Sequence, residues 1–125
     1  MSSVSKASKF TGYFFIFAGI NHFILPSFYL PLIPEYLPYP SALNFISGAL
    51  EILFGIFLCF PKTQKWGALG VMLLMVLFIP SHWYFIQMGS CVPYGLCVPP
   101  WLAWTRLLVV HPILIWWGYR LYQKG

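Results

Sequence analysis

The 125 residues are 60% hydrophobic and 21% aromatic, and only 7% are charged. That balance excludes an ordinary soluble domain, and four membrane spans would leave no room for a second domain. The formal charge of +5 does not point to nucleic acid: the basic residues stand in short pairs beside apolar runs, an arrangement that anchors a chain at lipid headgroups, so the bilayer is the expected partner.

Residues 1–8, MSSVSKAS, read as a polar tail ahead of one four-span domain over 9–125. The first span, 10–25, places Gly12, Phe15, Gly19 and His22 on one helical face, with Asn21 about a quarter-turn from His22. The glycines suit close helix packing. Two lysines before an apolar run also fit the start of a secretory signal, but no A-x-A-like site follows, and the segment is read as a retained span. Pro26 stops it. The stretch 26–40, PSFYLPLIPEYLPYP, holds five prolines and four aromatics, which exclude a continuous helix or a central strand. It is expected on the outer surface, either as a proline-stiffened interfacial loop or as a cap over the bundle mouth, with Glu35 solvated.

The second span, 41–60, carries Glu51 at its centre. Twenty helical residues cover about 30 Å, so this carboxylate sits near the bilayer midplane, where a charge costs on the order of 2.5–3.5 kcal/mol. Such a residue faces a bundle interior, finds a partner and marks a functional site. Asn44, Ser47, Gly48 and Gly55 share its helical face. Cys59, at the cytoplasmic end of this span, reads as an inert buried thiol. The turn 61–65 is short, so the second and third spans are antiparallel neighbours. The third span, 66–86, has small packing positions at Gly67 and Gly70 and a proline kink expected at Pro80, just before Ser81 and His82.

The following loop holds Cys91 and Cys97 around VPYG, a disulfide candidate whose seven-residue ring is worth about 2 kcal/mol in the chain-entropy model. A redox-active pair is the alternative reading. The fourth span, 101–121, contains Arg106 and His111. Five residues on a regular helix separate them by about 140°, so only one can face the centre unless Pro112 distorts the span. Arg106 is taken as the inward residue and His111 as a packing or interhelix hydrogen-bonding residue.

Six of the seven basic residues flank the spans on one side: Lys6, Lys9, Lys62, Lys65, Arg120 and Lys124. The positive-inside rule therefore places both termini and the 61–65 turn in the cytoplasm of a chain held in a cell membrane. Counting along the spans puts His22, Asn44, His82 and Arg106 about 5–8 Å below the outer boundary, and Glu51 and His111 near 15 Å. Side chains lean towards helix N-termini, so these groups converge. The expected site is a pocket in the outer half of an all-α, four-helix transmembrane bundle, floored by Glu51 and ringed by His22, His82, Asn44 and Arg106, with Arg106 meeting Glu51 directly or through a ligand or water. Asn21 and His111 are secondary candidates. Histidine and glutamate suit zinc or iron, but no His-x3-His or Glu-x2-His spacing occurs, and no metal is assigned. Nucleotide loops, GxSxG and CxxC are absent from the sequence.

GINHF (19–23), PLIPEYLP (31–38), SGALEILFG (47–55), PKT (61–63), WLAWTRLL (101–108) and HPILIWWGYR (111–120) together resemble the DoxX-like family over essentially the whole chain. These are small four-helix membrane proteins of DoxX and DoxD type, the latter associated with thiosulfate:quinone oxidoreductase. The resemblance maps its pattern onto Asn21, His22, Glu51 and Arg106, while the Cys91/Cys97 pair lies outside it. It implies a bacterial inner membrane, but many members of that family have no assigned activity. The pocket residues add the function: a protonatable Glu51 near His22 and His82 to deliver protons to a quinone oxygen, and Arg106 to stabilise its reduced anion. The expectation is a redox-associated membrane subunit that binds a small lipophilic molecule such as a quinone, with electrons from a partner membrane or redox protein or from Cys91/Cys97. A non-enzymatic assembly factor or chaperone, a minimal transporter and a homo-oligomer are the alternatives carried forward.

Overall fold

The computed structural model describes residues 6–92 and 95–124. Residues 1–5 of the expected tail, and Pro93 and Tyr94 of the VPYG turn, lie outside the described residues. The elements are helical: α1 (Lys6–Ile24), α2 (Pro26–Tyr29), a 3-10 turn (Leu30–Leu32), α3 (Pro40–Leu58), α4 (Gln64–Leu77), α5 (Ile79–Gln87), α6 (Pro100–Thr105), a π turn (Arg106–Val110) and α7 (His111–Lys124). Among the described residues there is no strand, only an isolated bridge between Cys91 and Cys97, which are joined by a disulfide.

Proline sets most of these boundaries. Pro26, Pro40, Pro80 and Pro100 each stand in the first turn of a helix, where a missing N–H costs nothing. Leu25, the residue before Pro26, is forced out of the helical region, and the chain bends by 96° from α1 into the α2 segment. The stretch 26–40 is thus not one helix, as expected, but it is more ordered than a loop. In the third expected span the helix breaks at Phe78, where Pro80 cannot donate to the Val76 carbonyl and its ring crowds that oxygen.

Two expectations shift at the ends. The tail does not extend to residue 8, because Lys6–Ser8 already belong to α1 and the buried Ser8 hydroxyl donates to the Leu58 carbonyl at 2.8 Å. Cys59 is only half-buried, its thiol turned towards the Gly55 carbonyl.

The helices pack in chain order, α1 on α3, α3 on α4 and α4 on α7. At the lysine-bearing end Trp117 Nε1 donates to Thr11 Oγ1 at 2.9 Å and Gln64 Nε2 to the Leu121 carbonyl at 3.1 Å, tying the last helix to the first and the third. Phe15, Leu58, Val71, Leu74, Met75 and Leu121 fill the core there. At the opposite, loop end a smaller cluster of Phe85, Val92 and Ala103 packs with Leu32 and Leu96. The site lies between the two.

The exterior is apolar while polar groups turn inward: Phe17 is 75% exposed and Leu108 62%, against 8% for His22, 2% for Asn44 and 4% for Glu51. Water would not favour that inversion. Pro40–Leu58 and Gln64–Gln87 are long and apolar enough to cross a membrane, with a third span if the bent Lys6–Ile24 and Pro26–Leu32 pair counts as one. The continuous rod Pro100–Lys124 is not among them, its apolar run being interrupted by Arg106, His111 and Arg120.

Candidate functional site

The crossing of α1 and α3 builds the polar centre. Gly12 and Gly19 on one helix, and Gly48 and Gly55 on the other, meet in reciprocal pairs. A Cβ on Gly55 would stand 2.6 Å from the Gly12 carbonyl oxygen, and one on Gly48 would stand 2.8 Å from that of Gly19. Spacing of seven keeps each pair on a single seam between antiparallel helices, and without side chains the backbones close up. The next α1 residue on the seam is His22, whose Cβ lies 2.7 Å from where a Gly48 Cβ would be. His22 is thereby pressed onto α3 between Asn44 and Glu51, one turn to either side of Gly48.

The hydrogen bonds fix the proton positions. Asn44 Nδ2 donates to the His22 carbonyl at 3.0 Å, so the amide's oxygen must be the atom 2.7 Å from His22 Nδ1. That oxygen only accepts, and Nδ1 therefore carries a hydrogen. Nε2 lies 3.2 Å from Glu51 Oε1, and this contact also needs one proton. Either a neutral acid donates to a neutral imidazole or an imidazolium donates to a carboxylate. In both cases the pair is neutral overall. The second carboxyl oxygen, Oε2, is buried and has no hydrogen-bond partner.

Beyond the trio the structure opens into a cavity of about 380 Å³. His22, Asn44, Glu51, His82 and Arg106, the five residues expected to ring the pocket, all line it. Ser47 and Ser81 add hydroxyls; the rest of the wall is mostly apolar, from Leu43, Leu50, Leu74, Phe78 and Phe85. Phe28, Tyr29, Leu32, Ile33 and Leu37 line it too, so the proline-rich segment is a wall of the site. The disulfide loop braces this end, since Val92 and Leu96 pack with Phe85 and Leu32, but neither cysteine lines the cavity.

Of the two routes expected between Glu51 and Arg106, the geometry excludes the direct one. Glu51 does not meet Arg106 directly; its ion-pair contact is His22. The glycine seam presses α1 onto α3 and brings His22 to Glu51, which counting depth along separate spans cannot reveal. Arg106 instead lies within electrostatic reach of Tyr29, His82 and His111.

The angular conflict between Arg106 and His111 is also resolved. The chain between them forms a π turn in which the His111 N–H bonds to the Arg106 carbonyl; the extra residue in that turn narrows the angle between the two side chains, with His111 buried and Arg106 at the exposed edge of the cavity. Pro112 accounts for it: on a regular helix its ring would clash with the Leu108 carbonyl, and the wider turn avoids this. His111 keeps the interhelix role expected of it, its Nε2–H donating to the Met75 carbonyl. Its ring also stands edge-on to His82, with centroids 4.6 Å apart, and so joins the cluster indirectly.

Tyr29 was not among the expected residues. It stacks on the His22 ring at 3.9 Å, and its hydroxyl accepts from Asn21 Nδ2 at 2.7 Å. Asn21 thus acts by holding Tyr29 against the histidine. The available signal was Pro26 itself: a helix stopped four residues after His22, with aromatics just beyond, can fold back over it. Among the described residues no three His, Cys, Asp or Glu side chains stand close enough to hold a metal ion.

A family model described as Domain of unknown function (DUF8561) matches residues 11–122, and the chain belongs to that family. Neither a curated protein nor a solved structure matches it.

Proposed function

We propose that this DUF8561 member is a multi-span membrane protein, a four-helix bundle with both termini cytoplasmic, that holds a small lipophilic molecule with a polar head. The observation that carries the reading is the convergence of His22, Asn44, Glu51, His82 and Arg106 on one cavity whose remaining wall is mostly apolar. A volume of about 380 Å³ falls at the small end of ligand sites, which run from about 300 to 1,000 Å³. A quinone-like head is the leading candidate, in keeping with the DoxX-like resemblance. The proton shared by His22 and Glu51 stands ready for exchange with a bound oxygen, and Arg106 supplies the charge that stabilises an anionic form of it. Electrons for any redox step would come from a partner protein, because Cys91 and Cys97 do not line the cavity.

The assembly-factor reading rested on small-residue faces free to dock on another protein. Gly12, Gly19, Gly48, Gly55, Gly67, Gly70 and Gly118 all make contacts within the chain, which favours the pocket reading over that one. The test is direct. Full-length protein purified in mild detergent is extracted and its bound lipophiles identified by mass spectrometry, and short-chain quinones are then titrated by thermal shift. Arg106→Ala should abolish the shift. An equal shift in that variant, or no bound molecule and no shift with any lipophile, defeats the proposal.

A further inference from the structure

The hydrogen-bonding pattern of the trio restricts what the cavity can take, an inference that rests on the ligand-pocket reading above. The single proton of the His22–Glu51 pair lies between Nε2 and Oε1. Wherever it sits along that line, Oε2 is left as an acceptor: the carbonyl oxygen of a neutral acid in one case, a carboxylate oxygen in the other. That oxygen is buried, unpartnered and belongs to a cavity-lining residue. A second acceptor placed against it would be repelled; a hydroxyl would satisfy it.

Arg106 presents the opposite demand. It lines the same cavity, and among the described residues no carboxylate stands within ion-pair distance of it. Because the His22–Glu51 pair is neutral as a unit, nothing in the trio balances the guanidinium, which offers a fork of N–H donors suited to an oxygen bearing negative charge. We infer that the cavity selects an amphiphile whose head carries a hydroxyl donor for Glu51 Oε2 and, beside it, an electron-rich or anionic oxygen for Arg106.

Two sources share this chemistry. One is a reduced quinone, whose hydroxyls a fully oxidised quinone lacks. The other is an anionic phospholipid with a hydroxylated headgroup. Full-length protein stripped of lipid in detergent is titrated with two matched pairs: a short-chain quinol against its quinone, and phosphatidylglycerol against phosphatidylethanol of the same chains, which keeps the phosphodiester charge and loses the hydroxyls. The hydroxylated member of at least one pair should bind about tenfold tighter, the usual effect of pairing an otherwise stranded buried acceptor. Which pair discriminates identifies the source.

Glu51→Gln should keep the preference. Its amide nitrogen donates to His22 Nε2 while its carbonyl oxygen takes the place of Oε2 as the acceptor. Glu51→Leu should erase it. Binding in which neither pair favours its hydroxylated member overturns the donor–acceptor assignment and leaves the pocket standing. Failure of all four ligands to bind overturns both. Loss of the preference in Glu51→Gln, with helicity retained, also counts against the assignment, since that variant preserves the acceptor without requiring Glu51→Leu to fold.

Discussion

Gly48 is where stability and site geometry meet, and Gly48→Ala tests both. An added Cβ would lie 2.8 Å from the Gly19 carbonyl oxygen and 2.7 Å from His22 Cβ. Neither neighbour is the free end of a flexible chain. Ordinary contact begins at 3.4 Å, so α1 must retreat by about 0.6 Å at this level. The His22–Glu51 contact, already 3.2 Å, then passes beyond hydrogen-bonding range. Overpacking of this kind costs roughly 1–3 kcal/mol, and the weakened buried bond adds about 1 kcal/mol. Replacing a helical glycine with alanine returns about 1 kcal/mol. The net expectation is a loss of about 2 kcal/mol together with weaker ligand binding. Thermal unfolding of the purified chain in detergent, followed by circular dichroism, reads the first, and ligand titration reads the second. Leu53→Ala, at a position 42% exposed on the same helix, is the control and should change neither by much. If Gly48→Ala unfolds at the wild-type temperature and binds as wild type does, the seam does not set the position of His22 and the account of the site fails.

Tyr29→Phe removes only the hydroxyl that Asn21 holds; it should weaken ligand binding severalfold while leaving unfolding within about 1 kcal/mol of wild type, whereas Tyr29→Ala should lose binding outright. Cys91→Ser with Cys97→Ser should lower stability by about 2 kcal/mol, and ligand affinity should fall only as far as the packing of Val92 and Leu96 on Phe85 and Leu32 loosens; unchanged unfolding would show that the disulfide does not brace that end. Pro112→Ala lets the chain return to regular helix and should swing Arg106 away from His111, so that the variant is at least as stable as the parent yet binds an anionic head more weakly; undiminished affinity would mean the π turn is not what aims Arg106.

Much of the site could be read from the chain before any fold was known, for reasons of helical geometry. Gly12, Phe15, Gly19 and His22 share a face by spacing alone, and all four are buried in α1. Asn44, Gly48, Glu51 and Gly55 do the same on α3. A regular helix leaves no freedom in such relations, so periodicity suffices. What periodicity could not provide was the irregular backbone. The relation of Arg106 to His111 depends on one widened turn, and the 140° separation assumed for a regular helix does not survive it. Tyr29 reaches His22 only because the chain bends by 96° at Pro26, an angle no hydrophobic pattern encodes. That His22 is the direct contact of Glu51 was hidden for a third reason: depth along a span says nothing about which side chains two helices press together, and here the glycines bring His22 onto α3.

The position of the cavity follows from where the seam runs out. α1 and α3 are zipped from Gly12 and Gly55 up to Gly19 and Gly48, and a further turn places His22 against its two partners. α1 then ends at Ile24, while α3 reaches on to Pro40. That last length of α3, with Leu43 and Ile46 on it, faces only the short pieces from Pro26 to Leu32 and the turn after them. Short pieces joined by prolines do not interdigitate with a helix as another helix does, and the space they leave is the pocket. Its polar floor and the portion of its apolar wall made by residues 26–37 therefore belong to different parts of the sequence. The floor is fixed by backbone contact at four glycines and tolerates little change. The wall hangs on the segment 26–37, where substitutions at Phe28, Leu32 or Ile33 can reshape the volume without touching the shared proton. Selection for a different tail should thus act on the proline-rich segment, and selection for a different head on Glu51 and Arg106.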